Sequence, residues 1–202
     1  MGVPTASEFH RILTPTGKPS ESAEAYMCEL LGELLMARPM EAPTYPWMQR
    51  GNDLEADAAK WYELQCDQET KVVGFCTTDD GTIGASPDRL VGDDGLLEIK
   101  CPSPDTHVRY LLYPDKGVDK AYRVQVLGQL YVTGRTWCDV VSYHPELPSV
   151  IVRVERDDAY IAKLDAALRA FCEQLANAKA ELRRRGLLPP IDDAAAVATT
   201  AA

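Results

Sequence analysis

Two acidic residues and a lysine lie close together near the middle of the chain. Asp88 precedes a glycine-bounded segment at residues 92–95 that is typical of a hairpin turn, and Glu98 and Lys100 follow it. Side chains alternate between the two faces of a strand, so Glu98 and Lys100 project together. Pairing across the turn would bring the Asp88 carboxylate beside Glu98. Two such carboxylates form a hard-oxygen site suited to Mg²⁺ or Mn²⁺, and the lysine beside them can orient or deprotonate a water.

This set of groups is suited to breaking a phosphodiester bond. A metal held there would stabilise charge on the attacked phosphate and lower the pKa of its water. The same spacing also fits the solvated face of an amphipathic strand, because such a pattern often arises by chance. Pro87 directly before Asp88, and the Cys101 and Pro102 pair directly after Lys100, favour the nuclease interpretation.

Four segments of the chain occur in the order and spacing of the motifs of one nuclease family. The segments are residues 5–8, 51–55, 86–88 with 97–102, and 122–129. The first resembles an N-terminal Thr-Ala-Ser motif, the second a G-x-x-x-E helix, the third the catalytic core and the fourth a glutamine-bearing helix. Together, over residues 3–145, they resemble the lambda exonuclease and YqaJ recombinase family of the PD-(D/E)xK nuclease superfamily.

The resemblance implies a catalytic centre whose members are Glu55, Asp88, Glu98, Ile99, Lys100 and Gln125. Asp88, Glu98 and the carbonyl of Ile99 would bind Mg²⁺, for which Mn²⁺ can substitute. Lys100 would act on the attacking water. The two remaining side chains would assist nearby, and Gln125 has a better claim to this role than Gln129.

A second set of positions is implied for contacts with DNA. The family has an arginine before the N-terminal motif that grips a 5′-phosphate, and this sequence has no arginine there. The polar residues that we assign to phosphate binding are Thr5, Ser7, Ser86, His107 and Arg109. Met48 is a candidate for a wedge that separates the terminal base pair, with core packing as the alternative.

The activity implied is Mg²⁺-dependent 5′-to-3′ digestion of one strand of linear duplex DNA. It would release 5′-mononucleotides and leave a 3′ overhang for a single-strand annealing protein, and the enzyme would be a ring-shaped homotrimer. Two alternatives stay open. One is an endonuclease or junction resolvase of the same superfamily, and the other is a nonenzymatic subunit that binds DNA ends.

The elements around these motifs predict an α/β fold, and the resemblance implies a restriction-endonuclease-like mixed central sheet flanked by helices. One domain is expected over residues 1–190, followed by a disordered tail at 191–202. Strands are predicted at 71–77, 82–85, 88–91, 96–100, 137–143 and 149–155, with hairpin turns at 78–81 and 92–95.

Helices are predicted at about 5–13, 21–37, 51–65 and 119–133, with a last helix after Asp157 or Asp158. A capping box would begin the first helix, with Thr5 and Glu8 satisfying backbone donors reciprocally. The third would bury Leu54, Ala58, Trp61 and Leu64 on one stripe. The last would point five apolar side chains inward, namely Ile161, Leu164, Leu168, Phe171 and Leu175. Residues 101–118 are interpreted as a loop.

The composition constrains the cellular setting and the partners. The 202-residue chain has a formal net charge of −10, which lacks the basic footprint of many nucleic-acid-binding proteins. An enzyme that encloses its substrate, however, needs positive charge only along its channel. With no membrane span and no signal peptide, a cytoplasmic protein is expected. The six cysteines include no CxxC pair, which predicts reduced, buried thiols rather than a zinc site or disulfides.

Overall fold

A mixed five-stranded sheet lies at the centre of the protein. The structure is a computed structural model that describes residues 2–40 and 46–189, with the side chains at 46–50, 52 and 115–121 outside the description. The strand order is β1-β4-β5-β6-β7. These strands are β1 (Thr70–Val72), β4 (Arg89–Val91), β5 (Gly95–Lys100), β6 (Trp137–Ser142) and β7 (Val150–Glu155). The β5–β6 pair is parallel and the other pairs are antiparallel, which confirms the predicted mixed sheet.

Helices cover both faces of this sheet. They are α1 (Ala23–Met36), α2 (Pro46–Cys66), α3 (Pro104–Leu112), α4 (Pro114–Thr133) and α5 (Asp158–Arg184), with a 3₁₀ helix at Ala6–Arg11. Leu97 and Ile99 of β5 belong to one apolar cluster, with Tyr62 of α2. Leu96, which directly precedes Leu97 on β5, belongs to a second apolar cluster, with Leu127 of α4. The alternation of β5 side chains therefore divides the core into two layers.

The predicted hairpin turns are both present. Between β2 (Cys76–Thr77) and β3 (Gly84–Ala85), the amide of Thr78 donates to the carbonyl of Ile83 at 3.0 Å. The predicted strand at 71–77 was wrong in its continuity, because its first part forms β1 and pairs with β4 instead of β3. Non-helical residues 73–75 separate the two pieces, so that each joins a different sheet.

The N-terminal capping box is not formed. The segment is a 3₁₀ helix, in which the amide of Glu8 donates to the carbonyl of Thr5 at 2.9 Å. That donor therefore does not need the Thr5 hydroxyl, which lies 3.3 Å from Oγ of Ser7. Thr5 itself is extended and forms a parallel bridge with Gly84.

Two helix predictions need correction. Leu64 of α2 is 87% exposed, and the buried residues of this helix are Ala58, Ala59 and Tyr62. Among its described side chains Ala58 is buried as predicted, but the buried face continues through Ala59 and Tyr62 and so lies about one residue toward the C-terminal end of the predicted stripe. The loop predicted at 101–118 instead contains α3, which has Pro104 in its first turn and Tyr110 on its buried face.

The last helix was predicted correctly. The Asp157 carboxylate accepts a hydrogen bond from the amide of Tyr160 at 3.0 Å, and all five predicted inward residues are buried. This helix holds the N-terminal part of the chain. Lys179 Nζ donates to the carbonyl of Gly2 at 2.6 Å, and the Phe171 ring stacks on Tyr26 at 5.6 Å. The segment that carries Thr5 and Ser7 is thus anchored to α5.

Three further expectations can be compared with the structure. No helix in the described ranges is both long and apolar enough to cross a bilayer. All six cysteines are free thiols, but only Cys138 is fully buried, so burial was predicted correctly for one of them. The tail predicted at 191–202 lies outside the described residues.

Candidate active site

The site is built where β4 begins and β5 ends. In the antiparallel register Arg89 lies opposite Leu97, so the next pair outward is Asp88 and Glu98. Both side chains project from the same face of the sheet, because opposite residues of a pair share a face. Lys100 lies two residues beyond Glu98 on that face. The structure therefore brings together the three residues on which the sequence argument rested.

Glu98 is buried and held by three donors. The side chain is 2% exposed, and its Oε1 accepts from Lys100 Nζ and from Gln125 Nε2, both at 2.6 Å. Its Oε2 accepts from Gln129 Nε2 at 2.7 Å. Burial of a carboxylate is costly unless it is paired and hydrogen-bonded, and these three donors supply both kinds of contact.

Asp88 has a different environment. Burial away from water, followed by the negative charge of Glu98, raises the pKa of its carboxyl to about 7. The backbone amide of Ile99, which donates to Oδ2 at 2.6 Å, and the ammonium of Lys100 act in the opposite direction. The charge of Glu55 on α2 also raises this pKa.

The oxygen donors fit a divalent cation such as Mg²⁺. The N–H and C=O groups of one strand residue lie on the same edge, so the Ile99 carbonyl faces the side on which its amide meets Asp88. Mg²⁺ is usually held by one or two carboxylates, with its other positions left to water and substrate phosphates. Within residues 2–40 and 46–189 there is no group of three or more His, Cys, Asp or Glu side chains arranged for a metal. The oxygen donors that the site offers to such an ion are the two carboxylates and the Ile99 carbonyl.

Lys100 has an aromatic neighbour that the sequence argument gave no role. Its Nζ lies 4.8 Å from the centroid of the Tyr122 ring on α4. The Tyr110 hydroxyl of α3 hydrogen-bonds to Tyr122, and burial, followed by this hydrogen bond, raises the pKa of Tyr110 well above its ordinary value. The wall beside the lysine therefore joins α3 to α4.

Most of the residues predicted to bind phosphate are accessible to a ligand. Ser7, Ser86 and Arg109 are exposed, and the bridge between Thr5 and Gly84 brings the N-terminal segment alongside the strand that leads to Ser86. They stay candidates. The Met48 side chain, proposed as a wedge, lies outside the described residues.

His107 is not available to a phosphate. The ring is fully buried, with Nε2 2.9 Å from the carbonyl of Pro148 and Nδ1 2.7 Å from Oγ of Ser142. The carbonyl can only accept, so Nε2 carries the proton, and in the neutral ring the Ser142 hydroxyl donates to Nδ1. The predicted phosphate contact of His107 is therefore wrong, and the residue instead fixes α3 to β6.

Gln129 is the residue of the site that the sequence argument undervalued. Gln125 and Gln129 lie one helical turn apart on α4, which placed them on one face, but only packing reveals that both amides reach Glu98. The available signal was the i, i+4 spacing of two identical polar residues on a helix whose other residues at that face are apolar.

Comparisons with known proteins show the family to which the chain belongs. The family model described as YqaJ-like viral recombinase domain matches residues 1–136. An alkaline exonuclease, LHK-Exo from Laribacter hongkongensis, is 35% identical, with 92% of this chain and 93% of that chain covered and a TM-score of 0.81. The same protein in complex with dAMP gives a TM-score of 0.82, also at 35% identity, with 92% and 93% coverage. Among curated protein sequences no significant match was found.

A more distant structure shares the fold. The phage-related exonuclease from Haemophilus somnus 129PT is 17% identical, with 89% of this chain and 96% of that chain covered and a TM-score of 0.74. The family match covers more than half of the chain, and the predicted resemblance is confirmed. The chain belongs to the family of YqaJ-like viral recombinase domains, and LHK-Exo, to which it is 35% identical, is an alkaline exonuclease.

Proposed function

We propose that this protein is a Mg²⁺-dependent exonuclease that digests one strand of linear duplex DNA from its 5′ end. It releases 5′-mononucleotides and leaves a 3′ single-stranded overhang. The observation that carries this proposal is the pairing of the Asp88 and Glu98 carboxylates beside Lys100 in a member of this family. The similar LHK-Exo binds dAMP, a deoxynucleoside monophosphate of the kind that such a reaction releases.

Asp88, Glu98 and the carbonyl of Ile99 would hold Mg²⁺, and Mn²⁺ would substitute. The bound ion would supply a Lewis acid that stabilises negative charge developing on the attacked phosphate. Asp88 gives up its proton when it becomes a ligand, because its pKa of about 7 leaves it partly protonated at neutral pH. Glu98 is held in place by its three hydrogen-bond donors.

Lys100 acts on the attacking water in this scheme. Its Nζ is fixed by Oε1 of Glu98 at 2.6 Å and by the face of Tyr122, so it reaches the reacting centre from the same face as the carboxylates. There it orients the water, and in its neutral amine form it accepts the proton that the water loses on attack. Gln125 holds the same oxygen of Glu98, and Glu55 adds negative charge from α2.

The DNA end would be held by exposed groups around this centre. Thr5, Ser7, Ser86 and Arg109 are assigned to the phosphates, and Met48 to the separation of the terminal base pair. The family resemblance supports a homotrimeric ring around the DNA and delivery of the overhang to a single-strand annealing protein. Light scattering on the purified protein measures the assembly, and a strict monomer that degrades long duplex without dissociating would contradict the ring.

The function is tested with a linear duplex that carries a 5′-phosphate on one strand and a 5′-hydroxyl on the other. With Mg²⁺ the phosphorylated strand should shorten and release mononucleotides, whereas with Ca²⁺ both strands should stay intact. Asp88→Asn and Glu98→Ala should abolish the release. Asp93→Asn is the matched control, because it neutralises an exposed carboxylate in the turn between the same two strands.

The same assay separates the alternatives. A circular duplex should stay intact, and cleavage of it would identify an endonuclease or resolvase. Retained binding of DNA ends, with no release of mononucleotides under any divalent cation, would identify a nonenzymatic end-binding subunit.

A further inference from the structure

A second glutamine of α4 contacts the buried carboxylate at the centre of the site. Gln129 is 1% exposed, and its Nε2 donates a 2.7 Å hydrogen bond to Oε2 of Glu98. The other oxygen, Oε1, accepts from Lys100 and Gln125. The two oxygens of the carboxylate are therefore held by different donors.

The division places Gln129 on the inner side of Glu98. The contacts of Lys100 and Gln125 with Glu98 are partly buried, whereas the contact between Gln129 and Glu98 is fully buried. Among the hydrogen bonds of the described residues, that of Gln129 is the only one at Oε2. Without it the carboxylate could turn about its last torsion, and the Lys100 ammonium bonded to Oε1 would move with it.

Gln129 also has a buried acceptor atom that lacks a hydrogen bond among the described residues. Its Oε1 is buried and accepts no hydrogen bond from any described protein group. An unpaired buried acceptor lowers stability, and an apolar side chain of the same size would avoid this loss. A glutamine at this position is therefore explained by what its donor does for Glu98 and not by packing alone.

We propose that Gln129 is a positioning residue for the metal site. It fixes the inner oxygen of Glu98 and so keeps the carboxylate beside Asp88 and Lys100 in the orientation that binds Mg²⁺. The inference rests on the proposed function, in which Glu98 is a metal ligand. Groups that orient a metal ligand in this way commonly change metal affinity by about 10- to 100-fold.

The test is Gln129→Met, which keeps the length of the side chain and removes both its donor and its unpaired acceptor. Calorimetric titration with Mn²⁺ in the absence of DNA should give an affinity about 10- to 100-fold weaker than in the wild-type protein. Gln174→Met is the matched control, because it makes the same change at an exposed position of α5, and its Mn²⁺ affinity should be unchanged.

The melting temperature in EDTA reports the fold separately. If Gln129→Met lowers that temperature and leaves the Mn²⁺ affinity unchanged, the residue has a packing role only and the proposal fails. If the wild-type protein binds neither Mn²⁺ nor Mg²⁺, the proposed function itself fails. The two failures are therefore distinguishable.

A measurement on the wild-type protein covers the case in which the variant does not fold. The side-chain amide signals of Gln129 in a ¹H–¹⁵N spectrum should shift on addition of Mg²⁺, while those of Gln174 should stay in place. Gln129 signals that do not respond to Mg²⁺, in a protein whose other site signals do respond, would overturn the proposal.

Discussion

Lys100 lies between a carboxylate and an aromatic ring, and this setting defines what it can do. Its Nζ is 2.6 Å from Oε1 of Glu98 and 4.8 Å from the centroid of Tyr122. Both partners attract the ammonium form, the ring through its negative face. An ammonium group cannot ligate a cation, so the proposed function assigns Lys100 to the chemical step and the carboxylates to metal binding.

This separation can be tested with Lys100→Met, which keeps the aliphatic part of the side chain. The variant should still bind Mn²⁺ and DNA, but single-turnover cleavage should be slower by about 10²–10⁴-fold, the usual contribution of a group that moves a proton. Lys163→Met, at an exposed position of α5, is the control. Weaker metal binding with normal cleavage at saturating Mg²⁺ would contradict the assignment.

Asp88 should make stabilisation by Mg²⁺ depend on pH. Burial and the charge of Glu98 raise its pKa to about 7 in the folded protein, compared with about 4 in an unfolded chain. In the metal-free protein this group favours folding fully below about pH 4, and its contribution is lost as the pH rises through about 7. Mg²⁺ competes for the same oxygens with the proton, so it should raise the melting temperature more at about pH 8 than at about pH 6.

Thermal unfolding with Mg²⁺ and with EDTA, at both values of pH, measures this difference. Asp88→Asn has no proton to exchange, and in this variant the residual effect of Mg²⁺ should be small at both values. An equal Mg²⁺ effect at the two values of pH in the wild-type protein would mean that Asp88 does not bind the ion.

At the scale of elements, the 3₁₀ helix packs closely against α4 at Gly128, where a larger residue would meet its side chains. A Cβ on Gly128 would lie 2.4 Å from Cδ2 of Phe9 and 3.3 Å from Cβ of Ala6. Phe9 is fully buried and has no room to withdraw. The close approach therefore sets the distance between the segment that carries Ser7 and the helix that carries Gln125.

Gly128→Ala should destabilise the fold by about 1–3 kcal/mol, the usual loss for an overpacked core. The comparison is Gly32→Ala in α1, where a Cβ would meet only Sδ of Met40 at 3.8 Å, an ordinary contact. That change should stabilise the protein by about 0.5–1 kcal/mol, since alanine favours a helix. Urea unfolding measures both, and an unchanged midpoint for Gly128→Ala would contradict the tight packing.

Elements with a strong local signal could be predicted from the sequence. The hairpin of β4 and β5 has a clear turn signal between its two strands. The long helix α5 has a clear N-cap and an apolar period that matches its buried face. The pairing of Asp88 with Glu98 followed from the turn, because a hairpin fixes its own register.

Other features depend on contacts between distant residues, which no local pattern contains. The short helix α3 buries only His107 and Tyr110, too few positions to give a helical period. His107 was predicted to contact phosphate because it lies near the position at which the resembled family has a second phosphate-binding arginine. Its actual partners, Ser142 and Pro148, are far along the chain. Likewise, the inward direction of Gln129 is set by how α4 packs on the sheet.

At the scale of the whole molecule, many of the described arginines form ion pairs with carboxylates of this chain. Ion pairs of 2.6–2.9 Å join arginines to Asp or Glu, and examples are Arg123–Asp157, Arg153–Asp139, Arg156–Asp158, Arg169–Asp165 and Arg184–Glu181. Arg50, Arg89, His107 and Arg109 lie close in sequence to the site motifs, which predicts that they face the DNA. Of the two described arginines among them, Arg89 is partly buried and Arg109 is exposed. The side chain of Arg50 lies outside the described residues. Among the described arginines of this group, Arg109 is therefore the exposed one.

Binding of DNA should therefore depend strongly on Arg109. Each neutralised phosphate contributes a slope of about −0.9 to the dependence of log affinity on log salt concentration, so Arg109→Gln should flatten the slope by about 0.9. Arg184→Gln is the control, because that arginine is bound to Glu181 at 2.7 Å. Fluorescence anisotropy with a labelled duplex end and Ca²⁺ measures both. A larger change from Arg184 than from Arg109 would place the DNA on another surface.

The anchoring of the N-terminal segment by α5 has a consequence for how the enzyme is made. The contact between Gly2 and Lys179 joins residues 177 positions apart, and that between Thr14 and Tyr160 joins residues 146 positions apart. Thr5 and Ser7 are synthesised first, yet the helix that holds their segment leaves the ribosome after the catalytic strands. The nascent chain therefore has its carboxylates before its N-terminal segment is anchored, and the complete fold around the site forms only after translation has passed α5.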